Sequence, residues 1–129
     1  MGDIEEGRAI SIQYSVGDHD DRPWGSWKVT DIGPEFISKT IQVKPGKRLS
    51  LQYHHHREEF WYVISGRGMA TIGDQEFELG AGVSVSIPKG VLHRLVCISR
   101  RPLIVLEVQK GDTLDEEDIV RLEDDFGRH

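Results

Sequence analysis

Across the middle of this chain, hydrophobic and polar residues trade places every second position, the period of a half-buried β-strand. Val83-Ser84-Val85-Ser86-Ile87 alternates strictly, and Phe36 to Val43 alternates while being rich in β-branched residues. Leu49, Leu51 and Tyr53 face one way, with Arg48, Ser50, Gln52 and His54 opposite. Met69-Ala70-Thr71-Ile72 and Phe77-Glu78-Leu79, joined through Gly73-Asp74, predict a hairpin. Val91 to Val96 and Leu103 to Gln109 add further strands, the last ended by Gly111. Between them stand Pro- and Gly-marked turns at Arg22-Pro23-Trp24-Gly25, Asp31-Ile32-Gly33-Pro34, Pro45-Gly46, Ser65-Gly66, Gly80-Ala81-Gly82 and Pro88-Lys89-Gly90. One helix is expected, starting at Asp115-Glu116-Glu117-Asp118-Ile119-Val120 and stopping near Gly127, with Asp115 as N-cap and acids on its first turn. Residues 1–21 hold no sustained period. Only Ala9–Ile12 and Tyr14–Val16 alternate, so this part reads as a polar arm with room for one added edge strand. Short strands at regular spacing with one short C-terminal helix predict an all-β barrel or double-sheet jelly roll over 22–129.

A length of 129 residues supplies one core and not two. No apolar run approaches the ~20 residues that span a bilayer, so no membrane contact is expected. The acidic N-terminus lacks the pattern of a secretory signal. Cys97 is the single cysteine, which forbids an internal disulfide and agrees with a reducing compartment; a cytoplasmic location is expected. The net charge of −6 is unevenly spread. Residues 1–21 carry six acids and one base, residues 112–129 eight acids and two bases, and the stretch between them 13 bases and eight acids. A basic middle suits a small anion, whereas acidic ends argue against a nucleic-acid groove.

The chemistry concentrates in Leu51-Gln52-Tyr53-His54-His55-His56-Arg57-Glu58-Glu59, which holds three of the six histidines. On an extended strand Gln52, His54 and His56 share one side, and Tyr53 and His55 the other. Imidazole and carboxylate gathered at a strand end suit a divalent metal, and His93 is the one further histidine inside the patterned region. Spacing alone leaves the ligand pair open between Gln52 with His54 and His54 with His56. His55 reads as a packed or surface histidine, Cys97 as a small buried hydrophobe. Trp24, Trp27 and Trp61 read as core or dimer contacts. Glu107, a carboxylate inside Leu103-Ile104-Val105-Leu106-Glu107-Val108, belongs either to an exposed face or to the barrel mouth.

Two motifs in these residues resemble the cupin superfamily. Six residues separate Glu59 from Gly66, and Gly82 is followed after five residues by Pro88-Lys89-Gly90 and, after two more, by His93. The resemblance implies a double-stranded β-helix, a cupin jelly-roll barrel. A narrower likeness covers 22 to 128. Arg22-Pro23-Trp24-Gly25-Ser26, Val43-Lys44-Pro45-Gly46, Leu49-Ser50-Leu51-Gln52, His54-His55-His56-Arg57, His93-Arg94-Leu95 and Asp118-Ile119-Val120-Arg121-Leu122-Glu123-Asp124 are similar to the type II phosphomannose isomerase domain. That domain usually follows a mannose-1-phosphate guanylyltransferase, for which this chain is too short. Two departures stand out: Phe60 replaces a family His, and Cys97 stands where cupins often carry Asn. The Leu-Ser-x-Gln-x-His run, here Leu49 to His54, also resembles type I phosphomannose isomerases, in which the Gln and His bind metal. By this resemblance the metal set is Gln52, His54, Glu59 and His93, with His56 as runner-up. One divalent ion among Zn, Mn, Co, Ni and Fe is implied.

The implied activity is metal-dependent interconversion of mannose 6-phosphate and fructose 6-phosphate. A base takes the C2 proton and a cation holds charge on O1 and O2. His56, Glu58 and Glu107 are the candidate bases. Arg57, Arg94 and Lys89 are the candidates for gripping phosphate or enediolate. The alternatives are a non-catalytic sugar-binding metal cupin and, less favoured because of Gln52, a non-haem iron dioxygenase. The expected partners are a small anionic sugar phosphate and a second copy of the chain. Aromatic and β-branched residues on both faces of Tyr53–Ile64 and Leu103–Gln109 exceed what one small core consumes.

Overall fold

The computed structural model describes residues 14–111, 114 and 118–123, and their regular elements are all β-strands. These are β1 His19–Arg22, β2 Gly25–Ile32, β3 Phe36–Val43, β4 Leu51–His54, β5 Arg57–Ser65, β6 Gly68–Ile72, β7 Gln75–Leu79, β8 Ser84–Ile87, β9 His93–Cys97, β10 Leu103–Gly111 and β11 Ile119–Glu123. A six-stranded sheet runs β1-β2-β3-β10-β5-β8, and a five-stranded one runs β11-β4-β9-β6-β7. Pairing is antiparallel throughout. The two sheets face each other as the expected double-stranded β-helix. Among the described residues no helix is long and apolar enough to cross a membrane.

Strand alternation divides the molecule into a dry end and a polar end. On β5, Arg57, Glu59, Trp61 and Val63 are buried while Glu58, Phe60, Tyr62 and Ile64 are exposed. On β10, Leu103, Val105, Glu107 and Gln109 point inward. The register sets Val105 beside Val63, Glu107 beside Trp61 and Gln109 beside Glu59. One end of this shared inner face is therefore aliphatic and the other carries charge. The aliphatic end joins Ile41, Val43, Ala70, Leu79, Ile87 and Leu95 in the main core. Burying each such larger side chain contributes ~1.5–3 kcal/mol. A smaller cluster of Val29, Ile37 and Leu114 packs with Tyr14, Trp27 and Ile32.

The expected strands are all present, with shifted ends. Asp31 and Ile32 belong to β2, and the following turn closes with Gly33 N–H donating to the Phe36 carbonyl at 2.9 Å. Val91 and Leu92 precede β9. β1 is an edge strand formed by His19–Arg22; Tyr14–Val16 is not strand, and Ala9–Ile12 lies outside the described residues.

The C-terminal helix is a correction. Ile119–Glu123 is strand β11, paired with β4 so that Ile119 opposes His54 and Val120 opposes Tyr53. Asp118 does not cap a helix. Its two carboxylate oxygens accept the backbone N–H groups of His55 and His56 at 3.0 and 2.9 Å. The β-branched pair Ile119-Val120 then extends along an open sheet edge, and that pairing overrides the local helix-start signal. Asp115, its predicted N-cap, and Gly127, its predicted stop, lie outside the described residues.

Candidate metal centre and substrate pocket

Three buried side chains meet at the polar end. His54 closes β4, Glu59 is the third residue of β5, and His93 opens β9. His54 Nε2 lies 3.0 Å from Glu59 Oε2, and His93 Nε2 lies 3.6 Å from Glu59 Oε1. One donor atom from each falls within 4.8 Å of the others. The connecting turns are fixed from below. Gly90, at φ +78, donates its N–H to the His54 carbonyl at 2.7 Å. At Gly111 a Cβ would stand 2.1 Å from the His56 carbonyl oxygen, so only glycine lets the end of β10 approach the β4–β5 turn.

The donor set fits a divalent ion. His93 Nδ1 donates to the Val91 carbonyl at 3.0 Å, which leaves the Nε2 lone pair directed at the cluster. Trp61 Nε1 donates to Glu59 Oε1 at 3.2 Å. Burial pushes the Glu59 carboxyl up, but His93, His54 and Arg57 outweigh it and hold the group well below its ordinary value. Burial lowers His93, against the pull of Glu59. An ionised Glu59 carboxylate beside a neutral His93 imidazole is the protonation state that ligation requires. Gln52 opposes His93 in the β4–β9 register and lines the same pocket, where its amide can serve as a fourth donor.

Arg57 stands within this cluster. Its Nε donates to Glu59 Oε2 at 3.2 Å, and its Nη2 lies 3.1 Å from both Glu59 Oε2 and His54 Nε2. Behind Glu59 sits Glu107, buried and accepting a hydrogen bond from Gln109 Nε2 at 2.7 Å. Burial first, then the charge of Glu59 and a hydrogen bond with it, push Glu107 up to about 8, against the opposing charges of Lys39 and Arg57. Lys39 is itself buried, with Nζ 4.3 Å from the Tyr14 ring centroid and 4.8 Å from that of Trp27. Arg22, Lys39, Arg57, Arg94 and Arg121 all line the pocket, against the two carboxylates Glu59 and Glu107. The cleft is cationic.

The remaining candidates fall elsewhere. His56 and Glu58 are exposed and do not line the pocket, because the turn at His55–His56 ends the alternation that predicted them inside. Lys89 is likewise exposed and away from it. Arg94 reaches the pocket wall, but its Nε is bound to the Leu49 carbonyl and its two Nη atoms to Glu123, so it ties β11 to the barrel. Phe60 points outward at 40% exposure, on the face of β5 opposite Glu59, so its difference from the family His does not reach the cleft. Trp24 and Trp61 belong to the core and also wall the pocket. Lys39 and Gln109 were not anticipated. The signal was available, since each is a polar residue at an inward position of an apolar strand row.

Comparison with known proteins agrees with this geometry. A family model described as mannose-6-phosphate isomerase C-terminal matches residues 12–124. The chain is 50% identical over 107 residues to the xanthan biosynthesis protein XanB of Xanthomonas campestris pv. campestris, covering 83% of this chain and 23% of that protein. It is 44% identical over 107 residues to the mannose-1-phosphate guanylyltransferase ManC of Salmonella typhimurium, covering 83% of this chain and 22% of that one. It thus spans less than a quarter of the length of these relatives. Among solved structures, the cupin domain of Schizosaccharomyces pombe Cnp3 superimposes with a TM-score of 0.61 at 12% identity, covering 66% of this chain and 64% of that one.

Proposed function

Because this chain belongs to the mannose-6-phosphate isomerase C-terminal family, we propose that its cleft interconverts mannose 6-phosphate and fructose 6-phosphate. The observation that carries the reading is the buried His54–Glu59–His93 cluster with Glu107 directly behind it, in a pocket lined by five cationic side chains. A divalent ion held by His54, Glu59 and His93, with Gln52 as fourth donor, would supply Lewis-acid stabilisation of charge on the sugar oxygens. Glu107 moves the proton between C2 and C1. Burial, the first cause of its raised pKa, favours the protonated form, so the group can give as well as take a proton near neutral pH, as general acid–base work requires. Trp61 fixes the Glu59 carboxylate. The cationic lining receives the phosphate and holds the anionic intermediate away from bulk water.

Two further parts of the proposal concern partners. The anionic substrate follows from the excess of Arg and Lys over carboxylates around the pocket. A second copy of the chain covers the outer face of β5, where Phe60, Tyr62 and Ile64 are 40%, 41% and 49% exposed.

The test is turnover with mannose 6-phosphate. Glu107→Gln should keep bound metal and lose about a hundredfold or more in kcat, the usual worth of a general base. Wild-type kcat in Glu107→Gln sinks the base assignment. A wild-type protein that, metal-loaded, interconverts neither sugar phosphate sinks the isomerase reading.

A further inference from the structure

Arg57 Nη2 lies 3.1 Å from His54 Nε2, and Glu59 Oε2 lies 3.0 Å from the same nitrogen. A guanidinium offers donors only and an ionised carboxylate acceptors only, so Nε2 satisfies one of them in either tautomer and not both. The guanidinium Nη2 also lies 3.1 Å from Glu59 Oε2. A divalent cation held by His54 and Glu59 would draw on the same two side chains.

We propose that Arg57 and the divalent metal are alternative occupants of one site. In the metal-free chain the guanidinium bridges His54 and Glu59. Loading expels it into the pocket it already lines, where its N–H groups become available to substrate oxygens. The proposal rests on reading His54, Glu59 and His93 as ligands. One orphaned group marks the guanidinium as a replaceable occupant. Arg57 Nη1 is buried with no hydrogen-bond partner among the described residues, so the bridged arrangement leaves a polar group unsatisfied. Substrate anion and metal should then favour each other's binding, since each draws Arg57 the same way.

The experiment is a calorimetric titration of chelator-stripped wild type, Arg57→Met and Arg57→Lys with Zn(II) and with Mn(II). It is paired with NMR of wild type carrying 15N-labelled arginine. Arg57→Met should bind either ion about tenfold tighter or more, within the range of ordinary site-to-site coupling, with Arg57→Lys between it and wild type. In wild type the protected Arg57 Nε–H resonance should shift and lose its protection from solvent exchange at saturating Zn(II). An arginine that merely repelled the ion from a fixed position would also tighten binding on removal, but its Nε–H would stay as it was. A zinc-saturated protein with that resonance unchanged therefore overturns the proposal, whether or not the variants fold. So does wild-type affinity in Arg57→Met. Failure of every protein to bind either ion overturns both the proposal and the ligand reading beneath it.

Discussion

Glu107 and Glu59 share one buried space and carry opposite pH signatures. The folded pKa of Glu107 is about 8 against an ordinary 4.5, so the native chain keeps a proton that the unfolded chain has released between those values. Its contribution to stability is full below the lower value and is lost as pH rises through the upper one. For Glu59, held below 4.5, the contribution is full above that value and is lost on acidification. Urea midpoints of chelator-stripped wild type should fall between about pH 5 and about pH 8, and Glu107→Gln should flatten that slope. Equal slopes in the two proteins refute the assignment. Glu107 was legible in the sequence as a carboxylate inside an apolar strand, and His54, Glu59 and His93 as a spaced set. The task performed by Arg94 was not legible. Its partners Leu49 and Glu123 lie 45 and 29 residues away, contacts that local spacing does not encode.

At the scale of elements, the β4–β5 turn is the joint on which the cluster depends, because it separates His54 from Glu59. Asp118 secures it by accepting two backbone N–H groups, at His55 and His56. Asp118→Ala leaves both donors without that partner, and the expected cost is ~1–3 kcal/mol per unsatisfied group, tempered by water at the exposed His55 and His56. Chemical denaturation should show the loss, and metal affinity should fall with it because the two ligands no longer hold one geometry. An unchanged midpoint would leave the turn with no need of Asp118. The strands were readable because a period of two survives wherever one face is buried. The misread element is instructive in the same terms. Around Asp118-Ile119-Val120 the local acids suit a helix start, yet the open edge of β4 offers a full row of hydrogen bonds. The inward His56 failed for a related reason, since a turn interrupted the alternation two residues earlier than the pattern implied.

At the scale of the whole molecule, the outer face of the six-stranded sheet exposes Phe60, Tyr62 and Ile64. Tyr62 opposes Leu106 and Phe60 opposes Val108, so their side chains form one continuous stripe. Stable association buries about 800 Å² per partner around a few aromatic anchors. Light scattering of wild type at micromolar concentration should report a dimer, and Tyr62→Glu a monomer, since a charge at such a centre has no partner. Monomeric wild type removes the second copy from the proposal.

The alternation of β5 also bears on how such a domain changes over generations. Its even-spaced and odd-spaced residues serve different surfaces, the inner row buried and the outer row exposed. Substitutions on the outer row, at positions such as Phe60, can alter the exposed face without touching the buried His54–Glu59–His93 cluster. Surface and buried cluster are therefore free to drift independently along a single strand. The same separation makes the outer row the place to graft new assemblies onto this barrel.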